Sequence, residues 1–536
     1  MRSARATATT AIISAVTVVL AACGGEVLVT TERADPISVA VPPVVAAPDT
    51  DDPIQPDATE PDAVDPDATG PGAVDPGTVD QGRPGAGDPD EPDPSGQADR
   101  VPIDPSVIDF GPNKPGQPYD DFLLAVVTDL ELWWSEQYPA IYGDAFVPLD
   151  GGVFAAYADR PDDIPGCGTP RTTYEEVQEF VAFYCGVGDF IVYDDGGDGL
   201  LADLAREYGA GTIGTVLAHE YGHAIQLRNG GLDRALPTVT TEQQADCFAG
   251  AWTGRAARGE AATVRYGDGD VRAGLIAMTE VSDPVGLDQF VAGGHGSAFD
   301  RVGAFQVGFN DGAARCAELL DEPLPLVPNQ FTRADAATGG DARFGYGEGD
   351  LLGFIPDDLN RYWDQELSIP GLDPLRLMVA RSADQVECGD LRGDFGDGAA
   401  LCADTGEVWF NEPVGRRLYD EFGDFTVGYL LGSAWSEAVQ DAVGTGARGE
   451  ERALLNDCLT GAWVNTVVPV DFQLPQPRLE TREVRVSPGD LDEAIQTLLI
   501  VADIGSDDNV IGDAFEKIDA FRTGVLGGLD VCDIDL

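Results

Sequence analysis

The apolar residues of 212–226 (TIGTVLAHEYGHAIQ) recur at helical spacing. Ile213, Val216, Leu217, Ala224 and Ile225 predict a helix there. A second helical stretch covers Thr240-Thr241-Glu242-Gln243-Gln244-Ala245-Asp246-Cys247, with Thr240 expected as its cap and Gln243 completing a capping box. A third spans Ala298–Gly308, and Trp133-Trp134 reads as part of a helix core. Phe190–Tyr193 is strand-like, and the acidic turn Asp194–Asp198 after it lacks the full pattern of a calcium loop. The mixture predicts a helix-rich α+β body.

The pattern differs before that body. MRSAR is followed by an apolar run over Ala6–Ala22 and then Cys23, the layout of a secretory signal peptide (1–22). Leu20-Ala21-Ala22-Cys23 resembles a bacterial lipobox, which implies cleavage before Cys23 and a lipid on its thiol. The expected location is therefore extracytoplasmic, anchored to the outer face of the cell membrane by a lipid that does not span it. Residues 23–113 are expected to be a disordered acidic linker. They are rich in Asp, Pro and Gly and poor in the apolar surface that folding needs.

The body repeats itself. HGSAFDRVGAFQVGFNDGAARC (295–316) aligns without a gap on IGDAFEKIDAFRTGVLGGLDVC (511–532). ADCFAGAW (245–252) matches NDCLTGAW (456–463), 212–226 matches 426–440, and Asp129–Trp134 matches Asp358–Trp363. This order of blocks predicts two tandem units, 114–325 and 345–536. Contact between them is allowed for. Setting Cys23 aside leaves eight cysteines at equivalent places in the two units. Pairing within each unit then favours Cys167–Cys185, Cys247–Cys316, Cys388–Cys402 and Cys458–Cys532.

Charge removes one class of partner. Acidic residues outnumber basic ones 94 to 32, for a net charge of −62. A phosphate backbone requires Lys and Arg, so no nucleic acid partner is expected. Only two lysines occur, Lys114 and Lys517, and only three histidines.

Two of those histidines stand in His219-Glu220-Tyr221-Gly222-His223. On a helix, positions i and i+4 share a face, so both imidazoles can hold one metal ion. Zn2+, one per chain, is the expected ion. Glu220 can take the proton of the water that attacks a carbonyl. Glu242 and Asp246 are also i, i+4. Glu242 is assigned as third ligand, against the alternative of a solvated carboxylate at a helix start. Asp246 is assigned as acceptor for a ligand histidine's other N–H. His295 has three readings: a hydrogen-bond donor to the oxyanion, a metal ligand in place of Glu242, or a local loop contact.

The second unit supplies an internal comparison. His219, Glu220, His223, Glu242 and His295 fall on Ser433, Ala434, Glu437, Ala453 and Ile511, whereas the cysteines, Trp252 and Gln226 persist. Residues that do chemistry can be lost from one copy, while residues that hold the fold cannot. Asp246 survives as Asp457, which makes its role partly structural.

Cys167-Gly168, Phe183-Tyr184-Cys185, HEYGHAIQ, EQQADCFAGAW and HGSAFDR together resemble the bacterial neutral zinc metallopeptidase family, which is gluzincin-like. The resemblance implies a zincin-like fold, peptide or protein substrates, and the ligand set His219, His223 and Glu242. The second unit, having lost the signature, reads as a degenerate pseudo-peptidase copy. The expectation is a surface-tethered zinc endopeptidase with Glu220 as general base. The alternative is a non-catalytic cell-envelope binding or scaffold protein on the same fold.

Overall fold

The computed structural model describes residues 101–534 except 162, 328, 330–343, 348, 368, 389–397, 469–485, 488 and 502–509. The expected signal peptide, the expected lipid site at Cys23 and the expected linker up to residue 100 lie outside the described residues.

The body is helix-rich with two small mixed sheets, an α+β arrangement. It starts before the expected boundary at 114. β1 (Ile108–Asp109) pairs in parallel with β2 (Gly152–Ala156), and Ile108 is buried. Arg160 Nη1 donates to Asp109 O (2.7 Å) and Tyr157 Oη to Pro112 O (2.7 Å). The linker expected through residue 113 is therefore corrected: its last residues are an edge strand and its tether. Two residues of strand in a Pro-rich stretch carry no readable alternation.

α1 (Asp120–Tyr142) carries Trp133 and Trp134, both buried. It is followed by β2, α2 (Tyr174–Phe180), β3 (Ala182–Cys185) and β4 (Phe190–Asp194). The sheet order is β1-β2-β4-β3, with β2 and β4 parallel and β3 antiparallel. Every residue of β4 is buried, as a strand covered on both faces must be. The acidic turn after β4 is spent internally. Asp194 accepts from Gly196 N (2.9 Å) and Tyr174 Oη (3.1 Å), and Asp195 pairs with Lys114 (2.7 Å).

Next come α3 (Leu200–Tyr208), α4 (Gly211–Arg228), α5 (Thr238–Ala257), α6 (Asp268–Glu280), α7 (Ala298–Asp311) and α8 (Ala313–Glu318). α4 and α5 are buried almost all round, which makes them core helices. α5 begins at Thr238, just after Pro237, so Thr240 lies inside the helix and is not its cap. Gln243 makes no capping box either: its amide exchanges hydrogen bonds with the backbone of Leu324 (2.9 and 3.3 Å). Tertiary contact outranks the local signal here.

The C-terminal half repeats this order. α9 (Leu351–Asn360) is followed by β5 (Arg376–Ala380), β6 (Ala399–Cys402) and β7 (Glu407–Asn411), in the sheet order β5-β7-β6. β5 and β7 are parallel and β6 antiparallel, matching β2-β4-β3. α10 (Glu412–Phe422), α11 (Phe425–Val443), α12 (Glu450–Asn465), α13 (Asp490–Val501) and α14 (Val510–Gly527) complete it.

Equivalent residues make equivalent contacts. Trp252 Nε1 donates to Asp129 and Trp463 Nε1 to Asp358, both at 2.9 Å. Gln226 Nε2 donates to Thr241 O (2.6 Å), and Gln440 Nε2 to Arg452 O (2.9 Å). A Cβ on Gly250 would overlap Phe305 O, and one on Gly461 would overlap Phe521 O. Only glycine permits that helix approach, which is why both copies keep it. Cys167–Cys185, Cys247–Cys316, Cys388–Cys402 and Cys458–Cys532 are all bonded.

The two halves share one hydrophobic core and belong to one compact unit. Their contact is reciprocal. Gln306 Nε2 on α7 donates to Phe515 O on α14, while Arg522 Nε on α14 donates to Phe299 O on α7, both at 2.8 Å. In the repeat alignment Gln306 corresponds to Arg522 and Phe299 to Phe515, so the pairing has the logic of a two-fold interface. Among the described residues, no helix is long and apolar enough to cross a membrane.

Candidate metal centre

His219 and His223 project from the same face of α4, and Glu242 and Asp246 from the facing side of α5. His219 Nε2 lies 3.2 Å from Glu242 Oε2, His223 Nε2 lies 3.4 Å from Glu242 Oε1, and the two Nε2 atoms are 3.1 Å apart. These three residues form a group whose ligand atoms all fall within 4.8 Å of one another. Gly222 makes the approach possible: a Cβ there would stand 2.8 Å from Ala245 Cα on α5.

The opposite ring nitrogens are also held. His219 Nδ1 faces Asp246 Oδ1 at 2.7 Å. His223 Nδ1 lies 2.9 Å from Gln226 Oε1, whose amide nitrogen is committed to Thr241 O. Carboxylate and amide oxygens only accept, so each Nδ1 carries a hydrogen, and each Nε2 faces Glu242. Two imidazole nitrogens and a carboxylate thus converge on one point. That donor set suits a divalent cation of borderline softness.

The field at this point favours positive charge. Burial pulls the His219 imidazole down, but the carboxylates of Asp246 and Glu242 outweigh it and push it up to about 10. His223 is raised for the same reason, with burial opposing Glu242. Burial works to raise Glu242, yet His223, His295 and His219 hold its carboxyl well below the usual range. Asp246 is likewise lowered against its burial, by Arg301 and His219.

Glu220 is 7% exposed and stands beside His219 on α4. His295 is not one of the converging groups, and its side chain is 47% exposed. Its backbone N–H and that of Gly296 donate to Asp283 Oδ2 (2.7 and 2.8 Å), and its Nδ1 is 3.4 Å from Asp283 Oδ1. Gly293 N donates to Thr238 Oγ1 (3.1 Å), which ties this loop to the start of α5. His295 nonetheless lies near enough to help hold the Glu242 carboxyl down.

Two contributors escaped the sequence reading. Arg301 on α7 clamps Asp246 through Nε (3.0 Å) and Nη2 (2.8 Å). Asp283 shapes the His295 loop. The repeat alignment carried a signal for Arg301, since it sets basic Lys517 at the same place; Lys517 pairs with Asp457 (2.7 Å), the counterpart of Asp246. Both lysines of the chain are thus engaged with fully buried carboxylates.

The equivalent place in the C-terminal half is used differently. Glu437, at the position of His223, pairs with Arg452 (3.3 Å), and Tyr429 Oη donates to Asp457 (2.7 Å). Asp424, Asp490 and Glu493 form a second carboxylate group. Glu493 there accepts from Phe425 N (2.8 Å), and Asp490 from Ser487 N (2.8 Å).

Uncharacterized proteins of Mycobacterium tuberculosis and Mycobacterium bovis are 32% identical to the chain over 169 residues, 27% of this chain and 55% of each of theirs. The chain thus spans about half the length of the curated relatives it matches. No family model matches the chain, and no solved structure matches it.

Proposed function

We propose that the chain is a zinc-dependent peptidase, tethered by a lipid on Cys23 to the outer face of the cell membrane. In this reading, residues 108–325 form a zincin-like catalytic domain of the neutral zinc metallopeptidase type. Residues 345–536 are a second copy without the metal residues.

The convergence of His219, His223 and Glu242 carries the reading. The two Nε2 atoms are 3.1 Å apart, and each faces a different oxygen of the Glu242 carboxylate, at 3.2 and 3.4 Å. Donor atoms this close together leave room for bonds of about 2.0–2.1 Å to one shared zinc ion. Zinc bound there would supply Lewis acidity toward a peptide carbonyl and activate water. Glu220 then takes the proton of the attacking water and returns it to the leaving amine. His295 donates a hydrogen bond to the developing oxyanion. Asp246 and Gln226 hold the imidazoles in the tautomer that leaves Nε2 free.

The test is cleavage of unstructured peptides by the full chain. Activity abolished by a chelator and by Glu220→Gln, with zinc retained in Glu220→Gln, is the expected result. Cleavage that survives Glu220→Gln overturns it. The burial of Glu220 and Glu242 favours a second reading, a non-catalytic envelope binding protein that holds its metal structurally. It would show one bound zinc, no cleavage, and partner binding indifferent to Glu220→Gln.

A further inference from the structure

The C-terminal half lacks the metal residues, yet it reaches into the N-terminal half at the helix that follows His295. The first N–H groups of any helix have no partner within it. On α7, Ser297 Oγ accepts from Asp300 N (3.2 Å). The N–H of Phe299 is taken by Asp492 Oδ1 on α13, at 2.8 Å. That of Ala298 also bears on the Asp492 carboxylate. The Phe299 carbonyl is held by Arg522, whose guanidinium lies 4.4 Å over the Phe299 ring. Both backbone groups of Phe299 are therefore fixed by the other half.

Phe299 is two residues from Arg301, which clamps Asp246, which in turn faces His219 Nδ1. It is four residues from His295, whose loop Asp283 holds from the other side. We propose that Asp492 is a positioning residue for the metal centre: by accepting from the start of α7 it sets where Arg301, Asp246 and the His295 loop stand. This rests on reading His219, His223 and Glu242 as ligands. The second copy is then a working part of the first copy's site. A buried carboxylate is a costly acceptor, and its place at a helix N-terminus is where its charge is best tolerated.

Three histidines make the test direct, because their imidazole 15N–1H signals can be assigned one by one in the full chain. The variants are Asp492→Ala, Asp492→Glu (which moves the carboxylate by one methylene) and Asp492→Asn (which keeps one acceptor oxygen in place). Gln306→Leu serves as control, since it weakens the same interface away from the start of α7. Zn2+ affinity is read by competition with a chromophoric chelator.

Asp492→Ala should move the His219 Nδ1–H and His295 signals and weaken the zinc Kd about tenfold, the scale seen when a ligand's support is lost. Asp492→Glu should do so in part, Asp492→Asn should recover most of the affinity, and Gln306→Leu should leave both readouts as in the wild type. Unmoved signals and a Kd within twofold of Gln306→Leu overturn the proposal. If Asp492→Ala does not fold, Asp492→Glu decides by the same criteria. If the wild type binds no zinc, the metal reading falls, and the His219 signal alone judges Asp492.

Discussion

Arg301 on α7 and Asp246 on α5 form a buried two-point ion pair, with hydrogen bonds of 3.0 and 2.8 Å. Removing one partner of such a pair leaves an uncompensated charge, which costs about 3–5 kcal/mol. Arg301→Met should lower stability on that scale. Arg301→Lys should cost much less, because Lys517 holds Asp457 in the other half. Equal unfolding midpoints for the two variants in urea would refute this.

Gln226 orients His223 and is itself anchored on Thr241 O. Gln226→Leu keeps the volume and removes the acceptor, so zinc affinity should fall about 10–100-fold. The fold should survive with a lower thermal midpoint, since the variant also loses the buried bond to Thr241 O. Chelator competition on the folded variant measures the first, and far-ultraviolet circular dichroism the second.

Stability should depend on pH through Asp300 and Asp492. Burial pushes both carboxyls up to about 7, against the backbone N–H groups that lower them; Arg522 also lowers Asp300 and the Asp492 charge raises it. An unfolded carboxyl titrates near about 4, so the folded state holds these protons more tightly. The associated stability is fully present below about pH 4 and is lost as pH rises through about 7. Asp492→Asn cannot ionise. Its Tm relative to the wild type should therefore climb between pH 5 and pH 8. A difference that stays flat over that range contradicts the assignment.

The disulfides close loops of different size, with separations of 18 residues for Cys167–Cys185 and 69 for Cys247–Cys316. Chain entropy makes the longer closure worth about 1 kcal/mol more. The double variant Cys247→Ala/Cys316→Ala should accordingly unfold at lower denaturant than Cys167→Ala/Cys185→Ala. The reverse order would place the stabilisation in the folded state instead.

Much of the candidate site was legible because it depends on helical spacing. His219 and His223, and Glu242 and Asp246, are i, i+4 pairs, and burying both helices turns the pairs toward each other. The cysteine pairing followed from the repeat, which equates residues without any knowledge of contacts. Thr240 misled because a cap signal is local, whereas the start of α5 is set by Pro237 and by Gln243 reaching Leu324. Arg301 was missed because its partner sits 55 residues away on another helix. The hold of the C-terminal half on Phe299 could not be read at all. It uses backbone N–H and C=O groups, which every residue carries.

Gln306 and Arg522 sit at matching places of the reciprocal interface and already differ. In a pair of identical chains, any change at such a place strikes both contacts at once, and assembly fades on dilution. Here the partners share one covalent chain, so each contact can be altered alone and the pairing is independent of concentration. An engineer can therefore tune one side of this junction at a time.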